Sequence, residues 1–209
     1  MVVSEFEEEL SHTDGFANDA SWWRHIEARF GLRCLLLRLE EGLESAAVRF
    51  ERGSGEASDE SWRKARSDRR IWEVEVEIMD RLLKSFEQTT EPRLAKSAPW
   101  WPTGHFTVGS FGQAQTPRGV QVERRYGLKD SEAELLRLLV IRECARSRVV
   151  CRFLGDHCGN LSDGNSPLCS LCRNSRLDVQ DFLQEKRQHI NEGIVRIQAL
   201  GVPVFPVYI

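Results

Sequence analysis

The chain has 209 residues, 41% of them hydrophobic and 29% charged, with a formal net charge of −3. That length supports one domain or two small ones around a real hydrophobic core, and the molecule as a whole is not a polycation. No apolar run reaches the roughly 18–20 residues of a membrane span, so a membrane partner is not expected. Charge is uneven: residues 1–60 carry 14 acids and 6 bases, a balance of −8, and residues 61–209 carry +5. The basic bias of the larger part permits contact with phosphates without requiring it.

In chain order, the opening "MVVSEFEEELSHTDG" is acidic. It lacks the basic start and apolar stretch of a secretory signal, which predicts an intracellular protein, in cytoplasm or nucleus, whose thiols stay reduced. Residues 1–18 read as an acidic, disordered N-terminus. Residues 19–90 read as a helical region. Asp19 or Ser21 caps a helix from Trp22, with Trp22, Ile26, Phe30 and Cys34 at helical spacing. Leu37, Leu43, Val48 and Phe50 continue the apolar side, and Gly31 is expected to kink or split the helix. "RGSGEASDES", residues 52–61, reads as a turn or short linker. A second helix follows over residues 60–87, capped by Ser58 or Asp59, although its middle, "IWEVEVEIMD", alternates like a strand.

Residues 91–129 read as a loop and hairpin region. Trp100 and Trp101 lie between Pro99 and Pro102, where two indoles either stack a base or grip a partner, or fill the edge of a core. Residues 105–127, rich in Gly, aromatics and β-branched residues, suggest a short hairpin or an ordered loop. Residues 130–200 read as a zinc-binding helical module. Ser131 with Glu134 forms a capping box, and the helix runs on to Gly155. A cysteine-bearing loop spans 156–172, and a last amphipathic helix spans 177–200, ended by Gly201 and Pro203. Residues 201–209, "GVPVFPVYI", are an apolar tail. The expected fold is mainly α: a helical bundle with a short β-hairpin or ordered loop and a zinc-stabilised loop.

Residues 151–172 hold four of the six cysteines. In a reducing compartment, clustered thiols point to metal more than to disulfides. Cys169 and Cys172 form a Cys-x-x-Cys knuckle, with Cys158 eleven residues earlier across a flexible loop. A structural zinc ion needs four tetrahedral donors with Zn–S near ~2.3 Å. Cys144, Cys151 and His157 compete for the fourth place. On one continuous helix Cys144 and Cys151 would stand about 10 Å apart, too far to serve one ion together. The alternative is that they are core thiols on an apolar helix face, which is expected of one of the two, and Cys34 reads as a buried core thiol. Redox use of the Cys-x-x-Cys pair is disfavoured by its loop setting after Pro167.

Residues 143–172, "ECARSRVVCRFLGDHCGNLSDGNSPLCSLC", resemble the zinc-binding subdomain of RecQ-like helicases. The resemblance implies Cys144 as first ligand, Arg146 in place of the family's second arginine, and Phe153, Leu154, Gly155 and Asp156 as the turn. It implies Cys158, Cys169 and Cys172 as the later ligands of Zn2+. Ala145 departs from the family's first arginine. The likeness covers about 30 residues, and the chain carries neither Gly-x-x-x-x-Gly-Lys-Ser/Thr nor Asp-Glu-x-His, so helicase activity is not implied.

Nothing local supports catalysis. His25-Ile26-Glu27 and the Pro167-to-Cys172 stretch are too far apart, with one residue too many after the proline, for a zinc deaminase. A cysteine nucleophile with His105 or His189 has no supporting context, and Gly104, Gly109 and Gly112 form no nucleotide-binding fingerprint. The basic stretch at residues 62–70 reads as a solvated face. Arg146, Arg148, Arg152, Arg173 and Arg176 surround the cysteine loop and suit a phosphate backbone. The expectation is a non-enzymatic zinc-binding protein, a nucleic-acid-binding or regulatory factor. Its alternative is a protein–protein adaptor on a helical scaffold with a structural zinc.

Overall fold

A computed structural model of the chain describes residues 2–52, 59–97, 117–156, 167–173, 181–182, 192, 196–197 and 203–204. The fold is mainly α-helical. A 3-10 turn at Val2–Phe6 leads into α1 (Glu7–Ser11), and then α2 (Asp19–Arg52), α3 (Asp59–Gln88), α4 (Thr90–Ser97), α5 (Arg118–Arg125), α6 (Asp130–Cys144), α7 (Arg148–Asp156) and α8 (Pro167–Leu171) follow. Strands β1 (Arg196–Ile197) and β2 (Pro203–Val204) pair antiparallel, Arg196 opposite Val204. No described helix is long and apolar enough to cross a membrane.

α2 is the axis of the molecule. Asn18 starts it: its Oδ1 accepts the Ser21 backbone N–H at 2.9 Å, and Ser21 Oγ accepts the Asn18 N–H at 3.1 Å. In this reciprocal cap Asn18, not Asp19 or Ser21, is the capping residue, Ser21 is its partner, and the helix starts three residues upstream of Trp22. Trp22, Ile26, Phe30 and Cys34 enter one core with α5, α6, α7 and α8. Ala28, Leu32 and Leu39 enter a second with Phe6 and α3 residues Met79, Leu83 and Phe86. A helix flanked by two cores is apolar on more than one face, so α2 shows little amphipathic contrast.

Gly31 neither kinks nor splits α2. A Cβ there would lie 2.1 Å from Phe6 Cζ, so the glycine is the seat of that ring. The N-terminus is therefore not a disordered tail. Phe6 and Phe16 are buried, Arg93 of α4 donates to the Asp14 carbonyl at 2.9 Å, Lys96 donates to the Thr13 carbonyl at 2.8 Å, and Ser97 Oγ accepts the Phe16 N–H. Gly31→Ala should destabilise the protein by about 1–3 kcal/mol, because the overpacking outweighs the gain in helix propensity. It should also speed proteolysis ahead of residue 12. An unchanged or higher melting temperature would show that Phe6 does not dock there.

α2 and α3 form an antiparallel hairpin, with Trp72 packed over Gly42. The alternating middle of α3 is helical throughout. Trp72, Val76, Met79, Leu83 and Phe86, spaced four, three, four and three, face α2. The interleaved acids are held along the helix by Arg69–Glu73, Arg81–Glu77 and Lys84–Asp80.

Four further expectations are corrected. Within residues 91–129, α4 and α5 replace loop and hairpin; the hairpin's first part, residues 105–116, lies outside the described residues. α5 forms because Asp19 Oδ1 accepts the Arg118 N–H at 2.8 Å, and it ends at Gly127, whose φ of +56° suits glycine. α6 starts at Asp130, with Glu132 accepting the Lys129 N–H at 2.8 Å, so the Ser131–Glu134 box does not form. The helix predicted to run to Gly155 breaks at residues 145–147. There Glu27 Oε1 accepts the N–H groups of Arg146 (2.5 Å) and Ser147 (2.6 Å), and Glu5 accepts that of Arg148 (2.7 Å). Two distant carboxylates thus satisfy the N–H groups that open α7. Of the helix predicted over 177–200, Asp181 and Phe182 are helical, but Arg196–Ile197 is a strand, where Ile197 pairs with Pro203.

Candidate functional site

Cys169 and Cys172 sit in and just after α8, both buried, with Cys172 Sγ 3.7 Å from the Cys169 carbonyl oxygen. Burial, then the adjacent Cys169 and Glu134, push the Cys172 thiol up to about 12. Cys158 and His157 lie outside the described residues, as does Arg176. Cys144 and Cys151 are not core thiols and do not share a helix. Both are exposed, Cys144 at the end of α6 and Cys151 in α7, where its Sγ lies 3.4 Å from the Ala145 carbonyl. Among the described residues no three His, Cys, Asp or Glu side chains converge on a possible ion position. The structure therefore brings Cys169 and Cys172 together and brings neither Cys144 nor Cys151 to them. Cys34 is fully buried, and burial raises its thiol to about 12, as a core position requires.

Of the arginines expected to suit a phosphate backbone, Arg146, Arg148, Arg152 and Arg173 lie within the described residues. Arg173 pairs with Glu87 at 3.0 Å, and Arg152 lies 4.0 Å from Asp156. Arg146 and Arg148 open α7 beside Glu27 and Glu5, and Arg146 shares a cavity of about 570 Å³ with Glu5, Glu8, Glu9 and Glu27. Carboxylates that close would repel a phosphate backbone. Trp100 and Trp101 lie outside the described residues.

The densest charge cluster is one the sequence reading did not single out. Glu134 of α6 takes Arg29 at 2.5 Å, Arg33 at 2.6 Å and Arg137 at 2.6 Å. Arg33 reaches on to Glu87 of α3 at 2.7 Å and donates to the Leu171 carbonyl at 3.1 Å. Arg137 grips Glu123 of α5 through two contacts of 2.6 Å. One network thus bolts α2, α3, α5, α6 and the cysteine turn together. Burial alone would raise the Glu134 carboxyl, but Arg29, Arg33 and Arg137 hold it down at about 2. The signal was present: Arg29 and Arg33 are four apart, and Glu134 and Arg137 three apart, each inside an otherwise apolar run.

His25 is a core residue. Its Nδ1 lies 3.0 Å from Arg93 Nη1 and its Nε2 2.9 Å from Thr90 Oγ1. A guanidinium can only donate, so Nδ1 accepts and Nε2 carries the proton to Thr90. Its ring packs on Phe86 and Phe16, and burial followed by Arg93 depresses its pKa to about 3. Neither His25 nor Glu134 is poised to exchange protons near neutral pH.

The outward face of α3 is different in kind. Ile71, Val74 and Ile78 are 54%, 49% and 53% exposed, and their spacing of three and four aligns them in one stripe. Single exposed aliphatics such as Val48 need no explanation, but three β-branched residues aligned on one helix do.

Compared with protein-family models, curated proteins and solved structures, the chain matches none.

Proposed function

We propose that the chain is a non-enzymatic helical adaptor that receives a protein partner on the outward face of α3. The observation that carries this reading is the Ile71, Val74, Ile78 stripe, an a-d-a pattern on the side of α3 turned away from α2. Such a stripe suits the apolar edge of another helix. The two long helices supply a rigid arm, and the buried arginine–glutamate network keeps that arm fixed on the body. This reading is preferred to the nucleic-acid one because Arg152 and Arg173 pair with Asp156 and Glu87, and Glu27 and Glu5 take the backbone N–H groups of Arg146 and Arg148, which puts a carboxylate near each of these four arginines.

A structural zinc ion belongs to the same proposal. Cys169 and Cys172, side by side in one turn, fit one edge of a tetrahedral site, with Cys158 as third donor. The resemblance of residues 143–172 to the RecQ-like zinc-binding subdomain supports this assignment for the later cysteines, though not for Cys144. With Cys144 and Cys151 pointing elsewhere, His157 is the remaining candidate for the fourth place. Four protein donors leave no open coordination position, so the ion would order the loop and not react. Zinc measured on protein purified without chelator should give one ion per chain for wild type and none for Cys169→Ser. Well-folded wild type without zinc would remove the metal from the account.

The docking claim is tested with the double variant Ile71→Glu, Ile78→Glu, checked for an unchanged melting profile. Partner proteins held by immobilised wild type should survive high salt and be lost with the variant. A complex that contains nucleic acid and dissolves as salt rises would contradict the reading.

A further inference from the structure

We infer that the occupant of the α3 stripe is a second copy of this chain, its α3 lying parallel to the first. The inference rests on the adaptor reading of the same face and adds the identity of the partner. Its support is the charge pattern flanking the stripe. With Ile71 and Ile78 at a and Val74 at d of a heptad, Arg63 and Arg70 fall at g and Asp68 and Glu75 at e. In a parallel pair each g residue meets the e residue five positions further along the other helix. Arg63 then faces Asp68, and Arg70 faces Glu75, each pair twice by symmetry.

In an antiparallel pair g meets g and e meets e. Arg70 would then face Glu77, but Glu75 would face Asp68, so repulsion cancels attraction. The four flanking residues are available for this role. Arg63, Asp68 and Arg70 are exposed, Glu75 is half-buried, and none of the ion pairs between described residues uses any of them. The apolar stripe spans about 10 Å of helix, and Lys64 at the preceding a position and Arg81 at the following d position bound it. Three half-exposed aliphatics bury far less than the roughly 800 Å² per partner of a stable interface, so the association is reversible and concentration-dependent.

Sedimentation velocity over a concentration series of the full chain tests this. Wild type should move from monomer towards dimer as concentration rises, and Ile71→Glu should remain a monomer throughout. Arg70→Glu and Glu75→Arg should each weaken the dimer by an order of magnitude or more, and the double exchange should restore it. Ser67→Cys, at the d position before Ile71, should form a disulfide to its own counterpart on mild oxidation, located by peptide mapping to separate it from Cys144 and Cys151.

A wild type that stays monomeric overturns the inference. So does a dimer that ignores Ile71→Glu, a double exchange that fails to rescue, or a dimer without the 67–67 link. The adaptor reading fails on different results. If wild type is monomeric yet still holds another protein through Ile71 and Ile78, that reading stands and only the self-pairing is lost.

Discussion

Glu134→Ala should cost about 3–5 kcal/mol of folding stability. The reason is what remains behind. Arg29, Arg33 and Arg137 have side chains 7%, 7% and 16% exposed, and all three place a guanidinium nitrogen on this one carboxylate. Without it, Arg33 keeps Glu87 and Arg137 keeps Glu123, but Arg29 has no other ion pair among the described residues. Its Nε already lacks a hydrogen-bond partner among them. A buried, uncompensated guanidinium is among the costliest consequences of a single substitution. Glu134→Gln, which keeps one acceptor and loses the charge, should fall between wild type and alanine. Urea midpoints at constant m-value measure both, and a loss below about 1 kcal/mol for alanine would mean the network is solvated rather than buried.

The second large effect is acid lability in a defined window. In the unfolded chain His25 titrates at its ordinary value near 6.5, whereas in the fold burial and Arg93 hold it down to about 3. As pH falls below 6.5 the unfolded state takes up a proton that the folded state refuses. The stability contributed by neutral His25 is therefore complete above 6.5 and is lost progressively down to about 3, at up to about 1.4 kcal/mol per pH unit. Glu134 acts in a lower window: its contribution is present above its ordinary value of 4.5 and disappears as pH falls towards 2. Unfolding free energy measured against pH should show the upper window in wild type and lose it in His25→Gln, whose amide can still donate to Thr90. Equal slopes for the two proteins between pH 6 and pH 4 would contradict the buried, hydrogen-bonded histidine.

Where the chain's own local pattern decides the structure, it was legible in the sequence. Trp22, Ile26, Phe30 and Cys34 repeat every four residues, and all four are buried on one face of α2. α2 ends at Arg52 and α3 begins at Asp59, on either side of the glycine- and serine-rich stretch. What was not legible depends on partners far away in sequence. The acidic N-terminus reads as a tail until Gly31 and α4 supply seats for Phe6 and Phe16. The break before α7 depends on Glu27 and Glu5, more than 115 positions upstream.

α3 carries two periods at once. Its inward residues follow the four-three repeat of a helix hairpin, and its outward Ile71, Val74 and Ile78 overlay that repeat until the sum imitates a strand. Separating the two stripes required knowing which side faces α2. Once they are separated, the outer one emerges as a stripe left half-exposed.

The central claim is that contacts form on the outward face of α3 and not on the arginine-bearing turn before α7. The most direct measurement places a photo-crosslinking side chain at Val74 in one preparation and at Arg148 in another, and irradiates each in a lysate of its native cells. The account predicts discrete protein adducts at position 74, abolished by Ile71→Glu with Ile78→Glu, and none specific to position 148. Adducts confined to position 148, or nucleic acid recovered there in place of protein at position 74, would contradict it.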